Sequence, residues 1–224
     1  VLIPLNSYNE ETEQKATKRI LFKNKIRGIA YLKKHGVKTV RCGTVLTKEN
    51  IKNLERIYTL VLDLDIDDWE VYRPIPNTEN KEPITKKDIQ EAIRKLNTLN
   101  KIFNRNYQLV NALPFCVTDK EAANKVCIGA EADDGHIRFV IGPDGFARPS
   151  YYLNKKIGNI KKESVEDIWN NKFMKNIREL KLVPKECKDC EYLIKCGGGS
   201  RFCANLINGS YDSKDPFMES QEKR

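Results

Sequence analysis

Residues 187–203 read Cys187-Lys-Asp-Cys190-Glu-Tyr-Leu-Ile-Lys-Cys196-Gly-Gly-Gly-Ser-Arg-Phe-Cys203, which places four of the seven cysteines within seventeen residues. The first three have the spacing C-x2-C-x5-C. A two-residue gap lets two thiolates converge on one centre from a single turn. The third returns after a short loop, and the glycine run lets the backbone pass close to whatever is bound. The cysteines are odd in number and clustered, not spread as a disulfide framework. With no secretory signal, the pattern predicts a cytoplasmic protein whose grouped thiols bind metal; unrelated reduced thiols explain the grouping poorly.

The chain is 224 residues long, room for one large domain or one and a half. Its apolar runs are only a few residues long, against the roughly 20 a membrane span needs, so no membrane partner is expected. The net charge of +9 comes from 40 Lys and Arg set against 31 Asp and Glu. No run of five or more like charges appears, so the balance reads as solvated helix faces and no nucleic-acid partner is expected. The chain opens at Val1 directly into an apolar run, as one cut inside a domain would.

Residues 1–6 read as a short buried strand, and Ser7–Thr12 as a loop entering a polar segment. Ile26, Ile29, Ala30 and Leu32 give a helical face over 23–35, stopped at Gly36. Val37–Leu46 is rich in β-branched residues and reads as a strand. Thr47 can cap a helix carrying Ile51, Leu54, Tyr58, Val61 and Leu62. Trp69–Ile75 is a third strand, and Thr85 with Asp88 opens a helix with a capping-box spacing. Strand–helix units of this length imply a parallel sheet with crossover helices. Three strands are too few to close a barrel. After about residue 104 the alternation ends. His136–Ile141, the turn Gly142–Gly145 and Phe146–Pro149 predict a hairpin. Ser164 and Asp167 cap a helix that runs towards Pro184. Residues 211–224 are polar and are expected to fray.

This second half resembles the SPASM or twitch auxiliary domain at the C-terminus of many radical S-adenosylmethionine (SAM) enzymes. The residues that carry the resemblance run in the family's order. They are Cys127, Phe139–Gly145, Pro149, Ile157-Gly-Asn159, Ser164–Asn170, Pro184–Cys190 and Cys196–Arg201, within residues 112–217. The first half resembles the last three strand–helix units of a radical SAM partial barrel. There Leu2–Ser7 is similar to the fourth strand, Val40–Asn50 to the fifth and Trp69–Pro76 to the sixth.

The resemblance implies an α/β fold: the C-terminal portion of a partial (β/α)6 barrel over 1–103, then a small α+β Cys-rich auxiliary domain over 104–217 and a polar tail over 218–224. It implies hydrogen abstraction by a 5′-deoxyadenosyl radical, assisted by an auxiliary [4Fe-4S] cluster, in an oxidoreductase or maturase. The substrate would be a peptide, protein or small molecule, with peptide or protein modification the family's default. A protein electron donor would supply reductant. The intact protein would also bind SAM and a second [4Fe-4S] cluster through a C-x3-C-x2-C loop, which these 224 residues lack. This chain alone would therefore be inactive.

Asn6, Ser7, Arg19 and Asn50 are the implied SAM-binding candidates. Asn6 and Ser7 could equally make only a turn, Asn50 could only help start a helix, and Arg19 could be a solvated charge. A full SPASM ligand set would carry cysteine where Ser150, Ser200 and Phe217 stand, and serine is a poor ligand for iron–sulfur clusters. One cluster on Cys187, Cys190 and Cys196 is therefore expected, with its fourth ligand among Cys127, Cys116 and Cys203, in which Cys127 ranks first.

Two other readings use the same residues. A non-enzymatic zinc module for nucleic acid or protein could take Cys187, Cys190, Cys196 and Cys203, although zinc sites usually show two C-x2-C pairs. A degenerate relative could serve only as a peptide-binding scaffold. His136, after Asp133-Asp-Gly135, suggests either a carboxylate–His pair or a turn entering a strand. Arg73 could face a cavity, Cys42 fits a small core residue, and Tyr151 and Tyr152 could line a site or pack.

Overall fold

The computed structural model describes residues 1–76, 83–133, 135–150 and 152–218. The chain divides into two compact units, Val1–Val110 with Glu121–Val126, and Asn111–Lys120 with Cys127–Arg224.

The first unit is a parallel sheet with crossover helices, as the alternating periodicity predicts. Its strands lie in chain order: β1 (Leu2–Pro4), β2 (Arg41–Val45), β3 (Asp68–Tyr72) and β4 (Gln108–Leu109). The helices are α1 (Glu10–Thr17), α2 (Phe22–Lys34), α3 (Lys48–Lys52), α4 (Leu54–Asp63), α5 (Lys86–Phe103) and α6 (Lys120–Val126).

Thr47 and Thr85 each close a capping box, with Asn50 and Asp88 as their reciprocal partners. The core lies between the sheet and the amphipathic faces of α4 and α5: Leu54, Ile57, Tyr58 and Val61 on one, and Ile89, Ile93 and Leu96 on the other, are all buried. Tyr58, Trp69 and Tyr107 meet edge to face with ring centroids 5.3–5.7 Å apart. Buried Asn100 ties them together by accepting from Tyr58 Oη (3.1 Å) and the Tyr107 N–H (3.2 Å) and donating to the Tyr107 carbonyl (2.8 Å). Cys42 is a fully buried core residue.

Several details differ from the sequence reading. The first strand is not buried: it lies at the edge of the described sheet, Leu2 is 43% exposed, and full burial begins at Leu5. The polar segment after Ser7 is helix α1, which Asn9 starts by accepting the Thr12 N–H at 2.9 Å. Its only fully buried described residue is charged, Glu13, so the apolar signal is missing. The helix predicted from Ile51 breaks at Asn53. The second and third strands are shorter than predicted, and β4 adds a fourth.

The second unit holds an antiparallel three-stranded sheet of β5 (Val140–Ile141), β6 (Phe146–Arg148) and β7 (Gly158–Asn159). The predicted hairpin is its first two strands, with β5 much shorter than the run from His136. The helices are α7 (Val165–Trp169), α8 (Lys172–Arg178), α9 (Leu193–Cys196) and α10 (Arg201–Asn208). Ser164 does cap, accepting the Asp167 N–H. The single helix expected up to Pro184 is nevertheless two, because Asn171 caps a second by accepting the Phe173 N–H. Val165 at the start of α7 is 59% exposed. Ala147, Ile157, Ile168 and Met174 form a small core, with Phe139, Trp169 and Phe173 packed against it. Between Cys116 and Cys127 runs helix α6. Tyr151, Asp134 and 219–224 of the polar tail lie outside the described residues.

Candidate functional site

The Cys-rich stretch is built from two short turns. A 3-10 turn at Lys185–Cys187 carries the first thiol, Cys190 follows on the Cys187 carbonyl (3.1 Å), and α9 ends at Cys196. Gly197, Gly198 and Gly199 then take consecutive left-handed φ values of +60°, +73° and +83°. A Cβ at Gly198 would sit 3.4 Å from Cys187 Sγ and 3.0 Å from Pro184 Cδ, so the backbone skirts this thiol where a side chain would crowd it.

Arg201 holds the glycine run in place from its buried position. Its guanidinium donates to the Gly198 carbonyl, to the Tyr211 carbonyl (2.9 Å) and to the Ser213 carbonyl (2.7 Å). Asp133 accepts from Ser200 Oγ (3.0 Å) and the Arg201 N–H (2.8 Å), and fully buried Asp215 accepts from the Ser200 N–H (2.9 Å) and the Phe217 N–H (3.0 Å). Sequence reasoning missed this scaffold. Its signal was Ser200-Arg201 directly after the glycine run, with Asp215 ahead of a proline.

None of the seven cysteines is in a disulfide. Burial pushes the Cys187 thiol up to about 11, and the neighbouring Cys196, Cys116 and Cys190 thiols add to that, against the Arg201 cation. Burial likewise pushes Cys127 up to about 12, with Cys196 the one thiol acting on it and Lys195 opposing. Metal binding at such thiols would release their protons. Among the described residues no group of three His, Cys, Asp or Glu side chains stands ready as a single-ion site. The donors gathered here are all sulfur, the ligand type of iron–sulfur clusters. The fit is in the donor set and in the glycine cradle beside Cys187.

The three positions where the family pattern would have cysteine are filled otherwise. Ser150 is fully buried and its Oγ accepts the Tyr152 N–H at 3.2 Å; Ser200 is held by Asp133; Phe217 is buried hydrocarbon. The Asp133 carboxylate is thus spent on Ser200 and Arg201. The carboxylate–His pair suggested for His136 does not form with it, and both ring nitrogens of His136 are buried without a hydrogen bond. Burial, then the charge of Arg178, lowers the pKa of this ring. Tyr152 stacks on Phe202, and Arg73 is buried.

In the first unit, Asn6, Ser7 and Asn50 line one cleft at the C-terminal ends of β1 and β2, with Tyr8, Thr12 and Glu49. Asn6 Oδ1 accepts the Val45 N–H (2.8 Å); Asn50 Oδ1 accepts the Thr47 N–H (2.8 Å), while its amide donates to the Val45 carbonyl (2.8 Å). Asn50 therefore serves the helix start and the strand end together. Arg19 is exposed in the bend after α1, outside this lining. Among the described residues no helix is long and apolar enough to cross a membrane.

Residues 133–191 match SPASM, an iron–sulfur cluster-binding domain. Native anSMEcpe with bound AdoMet is similar in structure, with a TM-score of 0.72 at 17% identity over 97% of this chain and 63% of that one. The same protein with bound AdoMet and Kp18Cys peptide gives a TM-score of 0.71 at 17% identity, over 97% of this chain and 64% of that one. Streptococcus suis SuiB bound to precursor peptide SuiA gives 0.64 at 15% identity, over 96% and 52%. The chain thus spans less than two thirds of the length of these structures. At such identities the likeness is one of fold. It bears out the α/β architecture read from the sequence, and the match over 133–191 bears out the SPASM resemblance of the second half.

Proposed function

We propose that this chain is part of a radical SAM/SPASM-type enzyme that modifies a peptide or protein, and that Cys187, Cys190 and Cys196 hold its auxiliary [4Fe-4S] cluster. The observation that carries the reading is the SPASM match over 133–191, which ends on the Cys187–Cys190 pair inside a chain with the fold of AdoMet-bound anSMEcpe. When bound, an auxiliary cluster supplies one-electron chemistry at the substrate. This chain's own contribution is to gather the thiols, to shield Cys196, which is 7% exposed, and to fix the glycine run through Arg201, Asp133 and Asp215. In the first unit, the cleft at Asn6, Ser7 and Asn50 is the proposed contact with SAM, with Arg19 as a further candidate. The intact protein would carry the second [4Fe-4S] cluster on a C-x3-C-x2-C loop, draw electrons from a protein donor and act in the cytoplasm. A peptide substrate is favoured by the peptide-bound states of anSMEcpe and SuiB.

Anaerobic reconstitution of the 224-residue chain with iron and sulfide tests this. The expected product holds about four iron and four sulfide per chain, lost in a Cys187→Ala/Cys190→Ala double variant. Stoichiometric zinc without labile sulfide would overturn the cluster. An intact protein lacking a C-x3-C-x2-C loop would overturn the radical chemistry.

A further inference from the structure

The third thiolate leaves an iron–sulfur cluster one ligand short, and the structure distinguishes the cysteines that could complete it. The segment ahead of Cys116 is docked directly on Cys196. The Phe115 N–H points at Cys196 Sγ (3.3 Å), and the Leu113 carbonyl lies 4.0 Å from the same sulfur. Pro114 packs on the glycine run so closely that a Cβ at Gly199 would come within 2.7 Å of its Cδ. The Phe115 ring meets Tyr192, which stands between Cys190 and Cys196, at 6.0 Å. Phe115 and Val117 are both buried, whereas Cys116 between them is exposed, and Cys187 and Cys190 are half-buried. Cys196, on which this segment docks, is itself buried.

The alternatives are placed differently. Cys127 is fully buried. Just beyond it the backbone at Gly129 lies so close to the Lys195 carbonyl that a Cβ would meet that oxygen at 2.1 Å. Cys203 is buried in the first turn of α10, beyond the glycine run, with its N–H donated to Ser200 Oγ (3.2 Å). Phe217 offers no donor atom.

We propose that Cys116 is the fourth cluster ligand, so that one site is assembled from the 113–117 turn and the C-x2-C-x5-C stretch. This rests on the cluster reading above and reverses the order expected from the sequence, in which Cys127 came first. The sequence separation, about seventy residues, hid it; the docking of Phe115 on Cys196 reveals it.

The test is reconstitution of the full chain carrying Cys116→Ala, Cys127→Ala, Cys203→Ala or Cys187→Ala, reading iron and sulfide per chain and the electron paramagnetic resonance spectrum after reduction. Removing a ligand thiolate is expected to cut retained iron about twofold or more, or to change the spectrum. This should occur in Cys116→Ala and Cys187→Ala but not in Cys127→Ala or Cys203→Ala. Cys116 is exposed, so Cys116→Ala should leave thermal unfolding of the apo chain unchanged, which separates lost ligation from lost folding. Full iron and an unchanged spectrum in Cys116→Ala, with loss in Cys187→Ala, would overturn this assignment and leave the cluster reading standing. Loss in Cys127→Ala or Cys203→Ala with their apo unfolding unchanged would also overturn it. Retention in Cys187→Ala would overturn the cluster reading itself.

Discussion

Two glycines bracket α10 and share a left-handed backbone, but only one is enclosed. At Gly199 (φ +83°) a Cβ would lie 2.7 Å from Asp215 Oδ2 and 2.7 Å from Pro114 Cδ; at Gly209 (φ +75°) it would meet nothing within 4 Å. The left-handed conformation costs an L-residue about 1–2 kcal/mol at either site. Overpacking adds about 1–3 kcal/mol at Gly199 alone, because Asp215 is fully buried and fixed by the Ser200 and Phe217 N–H groups. Gly199→Ala is therefore expected to lose about 2–5 kcal/mol and Gly209→Ala about 1–2 kcal/mol. With a urea m-value of about 2 kcal/mol/M, the midpoints fall by about 1–2.5 M and 0.5–1 M. Cys203, buried in α10 between the two glycines, reports the transition: pulsed thiol labelling across urea, read by peptide mass, follows unfolding of this unit alone. Equal midpoints for the two variants would refute the enclosure of Gly199.

Thr85→Ala removes one half of the α5 capping box and should cost about 1 kcal/mol, with Thr85→Ser restoring most of it in thermal unfolding. Asn100→Leu strands the buried Tyr107 N–H and carbonyl and the Tyr58 hydroxyl, a loss of about 2–4 kcal/mol measurable by urea titration. Burial raises the Cys42 thiol from 9.0 to about 11. Below pH 9 the thiol is protonated folded or unfolded and stability is full; above it the unfolded chain releases a proton that the folded chain keeps. Stability therefore falls as pH rises between 9 and 11, by about 3 kcal/mol in all. The stability difference between wild type and Cys42→Ala should shrink over that window, and a constant difference would exclude this contribution.

Where a residue's role was set by its immediate neighbours, the sequence was sufficient. Thr47, Thr85 and Ser164 cap as their spacing says, Gly36 adopts the positive φ of a helix stop, and the faces of α4 and α5 follow from 3.6-residue periodicity. The grouping of Cys187, Cys190 and Cys196 is local in the same sense. Long-range closure was not legible. Helix α1 buries a carboxylate, Glu13, against Lys25, so its inward face has no apolar signature. Strand β4 is two residues long, below any pattern. The Asp133–Ser200–Arg201–Asp215 scaffold joins residues fifteen to sixty-eight apart through single hydrogen bonds, and the approach of Phe115 to Cys196 spans eighty-one positions.

The glycine run has a consequence for the order of folding. Each of its three residues surrenders more backbone freedom on ordering than alanine would, by about 0.5–1 kcal/mol apiece, and the run has no side chains of its own with which to recover it. Its order is borrowed from Arg201, Asp133 and Asp215, which come from either side of it in sequence. Until those three have docked, residues 197–199 are an entropic joint, and Cys196 on one side is uncoupled from α10 on the other. Closure of the polar scaffold and convergence of the thiols are thereby coupled.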